Sequence, residues 1–323
     1  MQVKNPDENP TKQPAAIATV GTFDGVHRGH RLVIDTMLER ARMLDAMPLV
    51  FTFDHHPLCL IAPERAPGRL MKSAEEVETL RSLGVEVRVL HFDERLRSMK
   101  AAEWLSALRQ KHNVKWLVMG FDNTFGSDGI DFSLADYMRI GEECGVDITV
   151  ADRLPGVSSS IIRRQLREGK LREANEGLGR PFTLSGTVVT GKALGRRIGF
   201  PTANLRPDEG RLVPAKGVYA AYASLGENIL LPAIVNIGNR PTVSDAGDVS
   251  IEAHIIGWEG NIYGRELTLH FIERLRDEKH FGSLEELIGA IRMDRAAALS
   301  ILTPDSEENT GLSLPSSHNL INS

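Results

Sequence analysis

Cysteine is nearly missing from this chain: Cys59 and Cys144 are the only two in 323 residues. Two isolated thiols speak against a disulfide-stapled secreted scaffold and fit a reducing compartment. Long apolar runs are missing too; none approaches the roughly 20 residues that span a bilayer. The polar, proline-bearing residues 1–14 lack the apolar core of a signal peptide. A soluble cytoplasmic protein with no membrane partner is therefore expected. There is no excess of basic charge: 38 Lys and Arg face 43 Asp and Glu, for a net charge of −5. That excludes a broad polyanion-binding face, so no nucleic-acid partner is expected. Short clusters such as Arg163-Arg164 and Arg196-Arg197 are too small to reverse it. No internal repeat is present, because the two halves differ in class.

What the chain does have is a change of rhythm near residue 182. Up to about residue 180, apolar strand-like runs (16–21, 48–53, 85–91, 115–120 and 146–151) alternate with helix-like ones (31–44, 74–83, 101–112 and 134–144). In the first helix-like run Leu32, Val33, Met37, Leu38, Ala41 and Leu44 share one side at helical spacing. This alternation predicts a doubly wound parallel sheet with helices on both faces. Ligands of such sheets bind beyond the carboxyl ends of the strands. After residue 182 five strand-like runs follow (183–190, 217–223, 229–237, 249–256 and 266–272), with turns and no helical run between them. They predict an antiparallel barrel. A last helix starts at Ser283, with Leu284, Leu287, Ile288, Ile291 and Ala298 expected to cover the barrel. The organisation read from this is a polar tail over 1–14, an α/β domain over 15–181, a β-barrel domain over 182–302 and a disordered tail over 303–323.

The densest chemistry lies at residues 21–30, Gly-Thr-Phe-Asp-Gly-Val-His-Arg-Gly-His. This stretch joins a strand to an amphipathic run, so His27 and His30 fall near the positive end of a helix, where phosphates are stabilised. A zinc pair is the rival reading, but no HExxH glutamate and no cysteine lies at a matching offset. Held on a rigid helix start, imidazole N–H groups can stabilise charge on an α-phosphate during nucleotidyl transfer. Two further strand ends face the same crevice: Asp54-His55-His56-Pro57 and the glycine-flanked Asp122 in residues 120–126. Ser158, Ser159 and Ser160 before an apolar run read as helix caps, and Arg163 one turn inside adds an anion clamp. In the second half, residues 191–204 carry Gly191, Lys192, Gly195, Arg196, Gly199, Pro201, Thr202 and Asn204. The Gly-Lys-Ser/Thr ending of a Walker A loop is missing, so these glycines are either β-bulges and turns or a phosphate loop with oxygen ligands for Mg²⁺. Glu252 sits on a strand whose other face holds Val249, Ile251 and Ala253. Periodicity leaves it either a solvated carboxylate or a base in a crevice.

Taken together, these motifs resemble the prokaryotic bifunctional riboflavin kinase/FMN adenylyltransferase (FAD synthetase) family from about residue 16 to 299. Residues 21–30 look like its HxGH signature and 158–163 like its Ser-Ser-Thr-x-Ile-Arg motif. Residues 178–182 resemble its domain junction and 199–204 its Gly-Phe-Pro-Thr-Ala-Asn kinase signature, with further similarity at 236–242 and 275–281. The resemblance implies ATP-dependent phosphorylation of riboflavin to FMN, then adenylylation of FMN to FAD with release of pyrophosphate. It implies Glu252 as base for the ribityl hydroxyl, and His27 and His30 as catalytic groups at the adenylyl site. Nucleotide contacts would come from Gly21, Phe23, Asp24, Gly25, Gly29, His56, Asp122, Ser159 and Arg163, and in the second half from Gly191, Lys192, Gly199, Pro201, Thr202 and Asn204. Thr202 and Asn204 would also hold Mg²⁺ with ATP. No tightly bound prosthetic group and no assembly beyond a monomer or weak homo-oligomer is implied. Three departures stand out: His55 where the family has proline, Asn123 for an aromatic residue or histidine, and Ser160 for threonine. An enzyme retaining the kinase alone, or a flavin carrier without ATP turnover, are the alternative functions.

Overall fold

The computed structural model describes residues 14–121, 123–191, 194–226, 229–239 and 249–302. Asp122, Lys192, residues 1–13 and the expected tail over 303–323 lie outside the described residues. The chain divides into two compact units, residues 14–67 with 72–157 and residues 68–71 with 158–302.

The first unit is built on five parallel strands: β1 (Ala16–Val20), β2 (Met47–Phe53), β3 (Glu86–Leu90), β4 (Val114–Met119) and β5 (Asp147–Val150), in the order β3-β2-β1-β4-β5. The order reverses at the β1–β4 seam, which is where a doubly wound sheet opens a crevice at its carboxyl edge. The helices are α1 (Arg28–Leu44), α2 (Leu58–Ile61), α3 (Ser73–Ser82), α4 (Glu94–Ser98), α5 (Ala101–His112) and α6 (Leu134–Cys144). On β1, Ala16, Ala18 and Val20 face one side and join Trp104, Leu105 and Leu108 of α5 and Tyr137 and Ile140 of α6 in a single core. The face that α1 buries centres on Ile34, Met37 and Ala41, whereas Leu44 is exposed, so the expected apolar side is rotated.

The second unit is a closed six-stranded antiparallel barrel: β6 (Phe182–Val189), β7 (Ala203–Pro207), β8 (Gly217–Ser224), β9 (Leu230–Asn239), β10 (Val249–Ile255) and β11 (Glu266–Arg276), ordered β10-β7-β6-β11-β8-β9. Before it come α7 (Ser159–Arg167) and α8 (Leu171–Leu178); α9 (Leu194–Arg197) interrupts the strands, and α10 (Leu284–Ile301) follows them. Strand β7 and the short α9 correct the sequence expectation of five strands with no helical run between them. Leu267, Leu269 and Phe271 fill the barrel, Phe271 meeting Tyr219 edge to face at 5.3 Å. Asn175 of α8, fully buried, donates to the Phe271 carbonyl (2.9 Å) and accepts from the Phe182 N–H (2.8 Å), which locks the helix to β11 and β6. Residues 68–71 lie along the same unit, with the Arg69 N–H donating to the Gly210 carbonyl and the Leu212 N–H to that of Arg69. Ser283 caps α10 by accepting the Glu286 N–H; Leu284 is exposed, whereas Ala298 packs as expected, together with Leu302, on Val218, Ala220 and Ile234. Among the described residues no helix is long and apolar enough to cross a membrane.

Candidate functional site

The turn after β1 is shaped by backbone that few residues tolerate. Gly25 has φ 86°, and the buried Val26 follows at φ 38°, in left-handed space that β-branched residues avoid. This brings His27 to the cap of α1, three residues earlier than the helix expected from the sequence. Its Nδ1 accepts the His30 N–H at 3.2 Å, which leaves Nε2 as the ring's proton carrier. The two imidazoles stack with centroids 3.6 Å apart and planes 19° from parallel, and Phe23 abuts His30 edge-on at 5.2 Å. A Cβ on Gly29 would stand 3.1 Å from the His27 ring, so a side chain there would crowd the stack. Gly21 follows β1 and begins this turn. Phe23, Asp24 and His27 are all buried.

Two neighbouring strand ends complete the carboxyl edge. After β2, His56 accepts the Leu58 N–H at Nδ1 (3.1 Å). After β4, the Asn123 amide donates to the Val20 carbonyl, bridging the seam between β4 and β1. The loop that follows is held by Tyr137, whose hydroxyl donates to the Phe125 carbonyl (2.9 Å) and accepts the Phe125 N–H (3.0 Å). Burial raises the Tyr137 phenol, so it stays protonated in that role. Sequence reasoning missed Tyr137, because a tyrosine on an apolar helix face carries no mark of its polar task. The other proposed phosphate group sits in the second unit. Ser158 caps α7 by accepting the Ile161 N–H, Ser159 opens the helix, and buried Arg163 donates from Nε to the Gly68 carbonyl at 2.9 Å.

In the barrel, strand register brings a second set together. Glu252 of β10 lies opposite Asn204 of β7 on one side and Asn236 of β9 on the other. The Thr202 hydroxyl donates to the Glu252 carboxylate at 3.4 Å. A Cβ on Gly191 would collide with the Asn204 amide, and one on Gly195 with the Phe200 carbonyl, so both glycines are close-approach positions. Gly199 turns at φ 83°. His254, two residues beyond Glu252 and on the same face, donates from Nδ1 to the Pro201 carbonyl at 2.9 Å, and its ring meets Phe200 at 5.5 Å. Period-two spacing from Glu252 was a signal for His254 that went unread. Beside this loop opens a cavity of about 250 Å³ lined by Arg196, Pro201, Thr202, Trp258, Asn261 and Tyr263. The oxygens of Thr202, Asn204 and Glu252 form a hard donor set of the kind Mg²⁺ takes.

Comparison with known proteins follows the same division. A family profile described as FAD synthetase matches residues 9–164, and one described as riboflavin kinase matches residues 178–302. The bifunctional riboflavin kinase/FMN adenylyltransferase of Escherichia coli K12 is 38% identical over 293 residues, covering 88% of this chain and 92% of that protein. The protein of the same description from Pseudomonas fluorescens is 38% identical (89% and 93% covered), and that from Bacillus subtilis 31% identical (89% and 93% covered). A crystal structure described as a macrolide-efflux protein from Streptococcus pneumoniae superposes with TM-score 0.80 at 29% identity, over 88% of this chain and 94% of that one. With both halves and nearly the whole length matched, this chain belongs to the bifunctional riboflavin kinase/FMN adenylyltransferase family.

Proposed function

We propose that this chain is a cytoplasmic enzyme that moves the γ-phosphoryl group of ATP to riboflavin, giving FMN, and then an adenylyl group from a second ATP to FMN, giving FAD and pyrophosphate. The observation that carries the reading is the presence of two separate phosphate-handling constellations: the stacked His27–His30 pair at a helix start, and Thr202, Asn204 and Glu252 grouped in the barrel. The first activity belongs to the barrel domain, 182–302, and the second to the α/β domain, 15–181.

In the barrel, Glu252 takes the proton of the ribityl 5′-hydroxyl as that oxygen attacks the γ-phosphorus. The Thr202 hydroxyl orients the carboxylate, and His254 fixes the Pro201–Thr202 backbone. The 250 Å³ cavity, lined by Pro201 and Thr202, receives the nucleotide; Gly191, Lys192 and Gly199 are assigned to its phosphates on the family resemblance. Thr202 and Asn204 would hold Mg²⁺, which would supply charge neutralisation on the polyphosphate. In the α/β domain the acceptor is the FMN phosphate and the leaving group is pyrophosphate. His27 and His30 donate to the α-phosphate oxygens as charge builds there. Gly21, Phe23, Asp24, Gly25 and Gly29 shape the turn, and His56 and Asp122 add nucleotide contacts.

Incubation with riboflavin, ATP and Mg²⁺, with flavins resolved by chromatography, tests the reading. FMN appears first and FAD follows. FMN that accumulates without FAD removes the adenylyl step, and flavin binding without ATP consumption removes both.

A further inference from the structure

At the outer strands of the parallel sheet a third cluster forms that neither reaction uses. Strands β2 and β3 run parallel with Phe53 paired to Leu90, so the residues just past their ends, Asp54 and His91, must lie side by side. The Asp54 carboxylate then sits between two imidazoles. Nδ1 of His55 is 2.6 Å from Oδ1, and Nδ1 of His91 is 2.5 Å from Oδ2. The two rings lie 5.6 Å apart, inclined at 66°. All three donor atoms fall within 4.8 Å of one another.

Backbone contacts hold the carboxylate in place. Oδ1 accepts the N–H of His55 (2.9 Å) and of Phe92 (3.3 Å), the Asp54 N–H donates to Leu90, and the Ser73 hydroxyl donates to the Asp54 carbonyl. Such outer hydrogen bonds are what fixes a metal-binding carboxylate in position. His56, although adjacent, is turned away, since its Nδ1 accepts the Leu58 N–H. The side chains of His55, Asp54 and His91 are 34%, 37% and 72% exposed, so an aqueous ion reaches them directly.

We propose that His55 Nδ1, His91 Nδ1 and one Asp54 carboxylate oxygen form a binding site for a divalent transition-metal ion of the zinc class, with water filling the open positions. Two imidazoles and one carboxylate favour Zn²⁺, Co²⁺ or Ni²⁺ over Mg²⁺ and Ca²⁺, which prefer all-oxygen shells. Bonds of about 2.1 Å place tetrahedral ligands about 3.4 Å apart. To admit the ion, the imidazole–carboxylate contacts of 2.5 and 2.6 Å open and the donor atoms, all within 4.8 Å of one another, settle at that spacing, a movement that exposed side chains on anchored backbone accommodate. The ligand set shares no residue with those assigned to the two reactions. It does not depend on the proposed reactions, and its test reads binding alone.

The untagged full-length chain, stripped with a chelator, is titrated with Co²⁺ and followed by its visible absorption. Zn²⁺ is then competed against a chromophoric indicator. One tight Co²⁺ site per chain, displaced by Zn²⁺, is expected. His55→Ala and His91→Ala should each weaken it more than about tenfold, while His280→Ala, at an exposed histidine elsewhere in the chain, leaves it unchanged. Circular dichroism confirms that the variants fold. Absence of a tight site in the wild-type chain overturns the proposal, as does wild-type affinity in either the His55 or the His91 variant.

Discussion

Gly191 shows how a residue with no side chain can determine a reactive one. Asn204 packs its amide against the Gly191 backbone, and any Cβ there would occupy the same space. Gly191→Ala should therefore displace Asn204 and lower riboflavin phosphorylation at least about tenfold, since misplacing a positioned group by an ångström commonly costs about 10²-fold. Steady-state kinase assays check this, and adenylylation of supplied FMN should be unaffected. His270 makes a prediction of a different kind. It lies on the outward side of β11, opposite Tyr222 and Thr183, and burial pulls its pKa down from 6.5 to about 4. The unfolded chain therefore binds this proton near pH 6.5 and the folded chain only near pH 4. In that window the unfolded state holds more protons, so the stabilising contribution is complete above pH 6.5 and declines as pH falls towards 4. His270→Gln should flatten this part of the profile by about 1 kcal/mol at pH 5, allowing for partial exposure. Thermal melts of the two proteins at pH 7.5 and pH 5 measure it.

Helix α10 is attached to the barrel by one polar contact as much as by its apolar side. Arg276 of β11 grips Asp294 with two hydrogen bonds, Nε–Oδ1 at 2.9 Å and Nη2–Oδ2 at 2.7 Å, and Asp294 is 8% exposed. Asp294→Ala strands a guanidinium against the helix. A cost of about 2–3 kcal/mol is expected, short of the ~3–5 of a fully buried pair because Arg276 still reaches water. Urea unfolding gives the value, and Asp294→Asn should recover part of it. The same contact explains why the sequence misled here: with an aspartate at the centre of the packing face, apolar periodicity pointed to Leu284, which is exposed. Elements with a clean period were legible, and α5 and α6 lie where the spacing put them. Helix α8 was not, because its central buried residue is the polar Asn175. Strand β7 is five residues long, follows a glycine-rich loop and ends in proline, so neither length nor alternation announced it. In the candidate sites, the residues carrying charge or imidazole were readable. Of their supports, Tyr137 was not, because a hydroxyl that fixes backbone leaves no signature of its own, and His254 was marked only by its period-two spacing from Glu252.

For the molecule as a whole, the division into two compact units means that the two chemistries should fail independently. Glu252 stands on β10 between Asn204 and Asn236 and accepts from the Thr202 hydroxyl, all of them within the barrel unit. His30 stacks on His27 against Phe23 within the parallel-sheet unit. Glu252→Ala removes a base, which commonly costs about 10²–10⁴-fold, and should suppress FMN formation while leaving conversion of supplied FMN to FAD nearly intact. His30→Ala should do the reverse, with the loss falling mainly on kcat, because a donor that engages charge developing in the transition state contributes less to ground-state binding. Folding of each variant is judged by the activity it keeps, which makes the pair its own control. In riboflavin and ATP together, the first variant should stall before FMN and the second should accumulate it. Equal loss of both activities in either protein would mean that the two sites are coupled through the fold and that the units do not act separately.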